Sequence, residues 1–227
     1  MFSNELSLFK KKQLMYGEIM EGKKSLALAT FATIFFVFFL ASAIHFAQPQ
    51  RRLQLQSHFL SFGNANAPVE VVLIEDFQCT NCRIFSKKLI PQLQKGFIDS
   101  GQVRLMIVPV AFLRGSQMVG NAACEIYRQN TQNFFPYLYS ILEMEGEPKP
   151  ADLLRFARRL RGIDLDKLQE CIDRGCHSEE LHKNLDWAQQ FMGAQFRTPA
   201  LYVNGDAGST YSFEAVKHQI ELILGGP

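Results

Sequence analysis

Two cysteines separated by two residues, Cys79 and Cys82, stand where the apolar run Val69–Ile74 hands over to Arg83–Ile90, whose apolar residues recur with helical spacing. A thiol at such a handover faces the unpaired backbone N–H groups and the positive end of a helix dipole, which favours thiolate over thiol. The thiolate is the reactive form of cysteine. Two intervening residues put both sulfurs on one side of the first helical turn, close enough for a low-strain bridge. The chemistry open to such a pair is exchange between dithiol and disulfide, passing through a mixed disulfide. Cys79, first at the helix start, is the expected exposed nucleophile, and Cys82, one turn inward, its resolving partner. The competing chemistry is half of a zinc site. Cys171, Cys176 and His177 could nominally complete it, but they lie far off in a helical stretch, and the strand–helix setting argues against a metal at the pair.

The elements that must hold this pair can be read on either side of it. Gly63–Pro68 is turn-forming punctuation before the strand. The helix carrying the cysteines is predicted to reach about Leu93, with Pro91 predicting a kink or an early stop. Val103–Val110 reads as a second strand that Pro109 ends or confines to an edge. From about Gly115 to Phe196 there is no good strand pattern; apolar residues recur on helical faces, with Asp152, Asp164 and Ser178 as expected N-caps. Ala200–Val203 reads as a strand, Asn204-Gly205 as a hairpin turn, and Phe213–Leu224 as a closing helix. This order, strand, cysteine helix, strand, helical block, strand, turn, strand, helix, predicts an α/β thioredoxin-like fold with an inserted helical domain.

The chain has 227 residues, 47% hydrophobic and 20% charged, with a formal net charge of +2. That length supports one substantial core, and the near-neutral balance gives no reason to expect a nucleic-acid partner. Leu26–Ala47 is apolar all round and long enough to cross a bilayer as a helix. Lysines 10, 11, 12, 23 and 24 precede it, which favours a cytoplasmic N-terminus. Two readings stay open: an uncleaved anchor, favoured by the long leader, or a secretory signal cut after Ala43. Either exports the rest of the chain to an oxidising compartment, where disulfides persist. The expected division is 1–47 leader and anchor or signal, 48–66 tether, 67–114 with 197–227 the thioredoxin-like domain, and 115–196 the helical insertion. The five cysteines leave an odd one beyond the Cys79–Cys82 pair, however the other three combine.

Three stretches in order carry a family resemblance: Gly63-Asn64-Ala65-Asn66-Ala67-Pro68-Val69, Asp76-Phe77-Gln78-Cys79-Thr80-Asn81-Cys82, and Thr198-Pro199 followed by Val203-Asn204-Gly205. Together they resemble the DsbA-like thiol–disulfide oxidoreductases, in the branch with the Asp-Phe-x-Cys-x-x-Cys pattern, over roughly Phe62 to Leu224. The resemblance implies an enzyme that forms disulfides in exported, cysteine-containing proteins of the periplasm, with no cofactor. It also implies a membrane or soluble redox partner that resets the pair. An isomerase or reductase of the same fold is the alternative, and a redox-inert chaperone-like binder a more distant one.

Pro199 resembles the family's cis-proline facing the cysteine pair, which would leave the backbone at Thr198 open to pair with an extended substrate. Asp76, Phe77, Thr80 and Asn81 are then the supporting residues. Thr80-Asn81 offers no cation between the cysteines, so the helix terminus must do more and Arg83 is a candidate helper. Many relatives carry an acid six residues before the first cysteine, where this chain has Leu73; Glu75 reads as readily as an exposed strand-end carboxylate. Relatives also sometimes bridge positions like Cys124 and Cys171, which makes that pairing the expected structural disulfide, with Cys171–Cys176 its local rival.

Overall fold

A computed structural model describes residues 33–39, 53, 55–210 and 212–225. The chain divides into two units, Met1–Gln50 and Arg51–Pro227. In the first, residues 33–39 are helical, with phenylalanines 35, 36, 38 and 39 exposed. The rest of the expected membrane segment 26–47 lies outside the described residues. Among those described, no helix is long and apolar enough to cross a membrane.

The second unit is built on a five-stranded sheet of order β1-β3-β2-β4-β5. Its strands are β1 (Leu60–Phe62), β2 (Val69–Glu75), β3 (Val103–Pro109), β4 (Ala200–Val203) and β5 (Asp206–Ala207). β2 and β3 run parallel, from Val69↔Val103 to Glu75↔Pro109. The pairs β1–β3, β2–β4 and β4–β5 are antiparallel. A parallel pair needs a crossover element. Here it is α1 (Thr80–Leu93), which carries the cysteines, followed by one π-helical turn at Gln94–Ile98. Pro91 does not stop α1 early: it sits on the exposed face, and the helix runs two residues beyond it.

Strand β1 lies inside the stretch expected to be tether. Three residues are too few to give an alternating pattern, but Leu60 and Phe62 are both buried. Gly63, at φ 89°, turns the chain away from β1 so tightly that a Cβ there would come within 2.6 Å of the Val103 carbonyl oxygen.

Alternation along β2 feeds two cores. Val69, Val71 and Leu73 face the larger one, shared with Phe85, Leu89 and Ile90 of α1. Helices α2 (Ser116–Gln129), α3 (Phe134–Glu143), α4 (Pro150–Ala157), α5 (Leu165–Arg174) and α7 (Phe213–Ile223) contribute to the same core. Val72 and Ile74 face the smaller core with Phe59, Val108 and Ala188 of α6 (Ser178–Met192). The fold is thus thioredoxin-like, with the helices α2–α6 inserted between β3 and β4.

Two of the three expected caps sit elsewhere. Asp164 does cap α5, accepting from the Lys167 N–H at 3.0 Å. In α4 the N-cap is Lys149, and Asp152 is the third helical residue, accepting from the Lys149 N–H at 3.1 Å. Pro150 explains the shift, because a proline is best tolerated in the first turn, where its missing N–H costs nothing. In α6 the N-cap is His177, with Ser178 already helical; the Ser178 hydroxyl is instead turned to Asn121 of α2, 3.1 Å from its Nδ2.

Candidate active site

Strand β2 ends at Glu75, and the next three residues turn the chain into α1. Cys79 is the N-cap, with extended backbone at φ −67° and ψ 120°. Its N–H donates to the Asp76 carbonyl at 2.9 Å, and its own carbonyl accepts from Arg83 N–H at 2.9 Å. Cys79 is partly exposed, Cys82 is fully buried, and both are free thiols. Thr80 and Asn81 between them are exposed. The Cys79 sulfur does not cap the helix; it donates to the Thr198 carbonyl at 3.7 Å, across 119 residues of sequence. The Thr198–Pro199 peptide is cis, and Pro199 is buried immediately before β4. The residues singled out at the two ends of the sequence therefore meet.

Asp76 is fully buried and ties two loops together. Its carboxylate accepts from Gln78 N–H at 2.8 Å, from the N–H groups of Phe112 and Leu113 at 3.2 Å each, and from the Ser116 hydroxyl at 2.7 Å. A buried carboxylate needs several donors to replace water, and this one has them. Gly115, at φ 77°, ends the second loop where a Cβ would stand 3.2 Å from the Gln78 amide nitrogen. Phe77 is buried and packs at 6.3 Å, centroid to centroid, on Phe134 at the start of α3.

Glu75 is not a surface carboxylate. It is fully buried; one oxygen accepts from the Ser86 hydroxyl of α1 and the other has no partner. Burial pushes its carboxyl up to about 8; the Ser86 hydrogen bond opposes that rise and the neighbouring Asp76 adds to it. Cys82 is pushed far up as well, first by burial and then by Glu75. Side chains along a strand repeat every two residues, so Glu75 shares a face of β2 with Leu73.

Arg83 serves the scaffold rather than the sulfurs. Its guanidinium donates to the carbonyls of Ile141 and Gly146 at 3.0 and 3.1 Å, at the C-terminal end of α3. Ile141 O, in the last turn of α3, also accepts from the Met144 N–H at 3.2 Å, and Gly146 lies just beyond the helix, so the cation sits at the negative end of the dipole. Beside the pair, Asn81, Ile84, Phe85, Lys88, Arg197, Thr198, Pro199 and Thr210 line a groove of about 330 Å³. Its charged lining residues, Lys88 and Arg197, are both cations.

The expected Cys124–Cys171 bridge is corrected. Cys171, at the end of α5, is bonded to Cys176, with Cα atoms 4.9 Å apart, and Cys124 is a free, buried thiol. Gly175 in the left-handed conformation (φ 71°) ends α5 and turns the chain back. That return brings Cys176 to Cys171 within five residues.

A family model described as Thioredoxin matches residues 56–222. Disulfide bond formation protein D of Bacillus subtilis is 29% identical over 171 residues, covering 72% of this chain and 76% of that protein. Probable disulfide bond formation protein D of Bacillus anthracis is 30% identical over 173 residues, covering 72% and 77%. Among solved structures, DsbA of Chlamydia trachomatis superposes with a TM-score of 0.69 at 26% identity, over 76% of this chain and 94% of that one.

Proposed function

This chain belongs to the DsbA-like thiol–disulfide oxidoreductases of the thioredoxin family, and we propose that Cys79 and Cys82 are the pair through which it forms disulfides. It is a protein-disulfide oxidoreductase. The observation that carries the assignment is the asymmetry of the pair: one sulfur reaches solvent beside the Thr198 carbonyl, and the other does not.

In the oxidised enzyme a substrate thiolate attacks the Cys79 sulfur. The Cys79–Cys82 bond breaks, and its electron pair leaves on Cys82. A thiolate at the buried Cys82 position is costly, so it takes a proton from Glu75, the buried carboxyl whose charge acts on Cys82 and whose own pKa is raised to about 8. The substrate's second thiolate then attacks the substrate sulfur of the mixed disulfide and releases Cys79. One substrate disulfide has formed, and the pair is left as the dithiol. Thr198, just outside β4, offers its backbone to an extended substrate segment, and the groove beside it receives the flanking residues. Asp76, Phe77, Thr80 and Asn81 shape the turn that presents Cys79.

The setting we propose is extracytoplasmic, with residues 26–47 as a tether to the membrane and a redox partner that re-oxidises the pair. What supports export is the lysine-flanked apolar run in the sequence together with a chemistry that needs an oxidising compartment. The same reading takes 67–114 with 197–227 as the part carrying the exchange and 115–196 as its helical insertion.

The test is direct. Cys79→Ser abolishes oxidation of a model dithiol peptide, while Cys82→Ala, offered that peptide in its disulfide form, traps a mixed disulfide at Cys79, seen by mass spectrometry. The reduction potential of the pair is expected nearer about −120 mV than about −270 mV. Unchanged turnover in Cys79→Ser would remove that sulfur from the mechanism.

A further inference from the structure

Apart from the Cys79–Cys82 pair, the helical insertion holds a second cluster of sulfur, nitrogen and oxygen donors. Glu125 of α2, Cys171 of α5, and Cys176 and His177 at the start of α6 each offer one such atom. All four atoms lie within 4.8 Å of one another. We propose that, once the Cys171–Cys176 disulfide is reduced, these four side chains bind a thiophilic divalent cation, with Zn²⁺ the natural occupant.

The distances carry the geometry. With zinc bonds of about 2.3 Å to sulfur and about 2.1 Å to nitrogen and oxygen, tetrahedral ligands stand about 3.8 Å apart for S···S, about 3.6 Å for S···O and about 3.4 Å for N···O. The Cys176 sulfur is 3.8 Å from Glu125 Oε2, and His177 Nε2 is 2.9 Å from the same oxygen. The imidazole must therefore yield by about 0.5 Å to reach the tetrahedral spacing. The two sulfurs part when their bond is reduced, and Cys176 has room to move because it is exposed.

Glu125 is arranged for the task. Its Oε1 accepts from Gln129 at 2.9 Å and stands 3.3 Å from the Lys167 ammonium, while Oε2 faces the histidine and the sulfur. One oxygen is held from outside, and the other points into the cluster; outer partners of this kind orient a metal-binding carboxylate. Charge also closes. Two thiolates and a carboxylate meet a divalent cation and the Lys167 ammonium, so the assembly is neutral.

The chemistry balances in two steps. A reducing dithiol or phosphine supplies two electrons, which with two protons convert the disulfide to Cys171 and Cys176 thiols. The cation then displaces those two protons and binds both thiolates, the neutral His177 imidazole and Glu125. Disulfide and metal are thus mutually exclusive states of one site.

Co²⁺ is a suitable probe, because its thiolate charge-transfer and d–d bands report tetrahedral sulfur ligation. The full-length Cys79→Ser/Cys82→Ser variant, which leaves no other close thiol pair, is reduced with a phosphine and titrated with Co²⁺. One equivalent is expected to bind with tetrahedral bands, displaced by Zn²⁺, and no such bands are expected before reduction. Adding Cys171→Ser/Cys176→Ser is expected to abolish the bands, and His177→Ala or Glu125→Gln to weaken binding at least tenfold, with circular dichroism unchanged. The proposal is overturned by a folded, reduced protein without the bands, or by bands that survive loss of Cys171 and Cys176. Loss of fold on reduction overturns it equally, since the ligands are then no longer held together.

Discussion

Glu75 and Asp76 are sequence neighbours, both fully buried, and they differ in how many donors each meets. Asp76 meets four, and the unfolded loops around it would lose their common anchor without it. Glu75 meets one, from Ser86. A carboxyl whose folded pKa is raised from about 4.5 to about 8 favours the folded state while it holds its proton. That contribution is complete below about pH 4.5 and is lost as pH rises through about 8, at a slope on the order of 1 kcal/mol per pH unit. Glu75→Gln should therefore flatten the decline in stability between pH 5 and pH 8, measured by urea unfolding of the dithiol form and followed through the single tryptophan, Trp187. The same variant cannot move a proton to Cys82, so its rate of mixed-disulfide formation at neutral pH should fall by at least about tenfold. If both measurements matched the parent protein, Glu75 would have no part in proton transfer.

At the scale of elements, α1 is held between the sheet and the insertion by few polar ties, and Arg83 makes two of them, to the end of α3. Arg83→Ala should cost about 1–3 kcal/mol in urea unfolding, because the Ile141 and Gly146 carbonyls lose a charged donor. Its effect on peptide oxidation should come through that loosening, so that Arg83→Lys recovers only part of it; a lysine cannot span two carbonyls with a planar fork. Which elements could be read in advance follows from pattern length. β2 and β3 are largely apolar runs of seven residues and the cysteine helix has clear helical spacing, and their positions were legible. β1 has three residues and no period to read, and it follows a polar, glutamine-rich run that disguises it. The cap of α4 was misplaced because Asp152 reciprocates with a lysine backbone, a partnership that residue type alone does not reveal. At the site, the cysteine pair was legible from type and spacing, whereas Pro199 was legible only through the family resemblance. The burial of Glu75 was not, since it depends on α1 folding over the end of β2.

For the molecule as a whole, two predictions follow its charge and its length. If residues 26–47 tether the chain, the full-length protein should stay with membranes through alkaline carbonate washing; release into the soluble fraction would remove the tether. The groove beside Cys79 carries Lys88 and Arg197 and no acid among its lining residues. Oxidation of an acidic dithiol peptide should accordingly slow as ionic strength rises and the Debye length shrinks, while a neutral peptide is little affected. Lys88→Gln with Arg197→Gln should erase that difference. The remaining thiol has the opposite character to all of these surfaces. Cys124 is sealed in the main core, and burial pushes its ionisation far up. An enzyme that trades sulfur partners can keep a spare cysteine only if it stays out of the exchange, and here the interior keeps it so. Alkylation of Cys124 by a maleimide pulse therefore becomes a clock for opening of the whole domain, blind to every event at the catalytic surface.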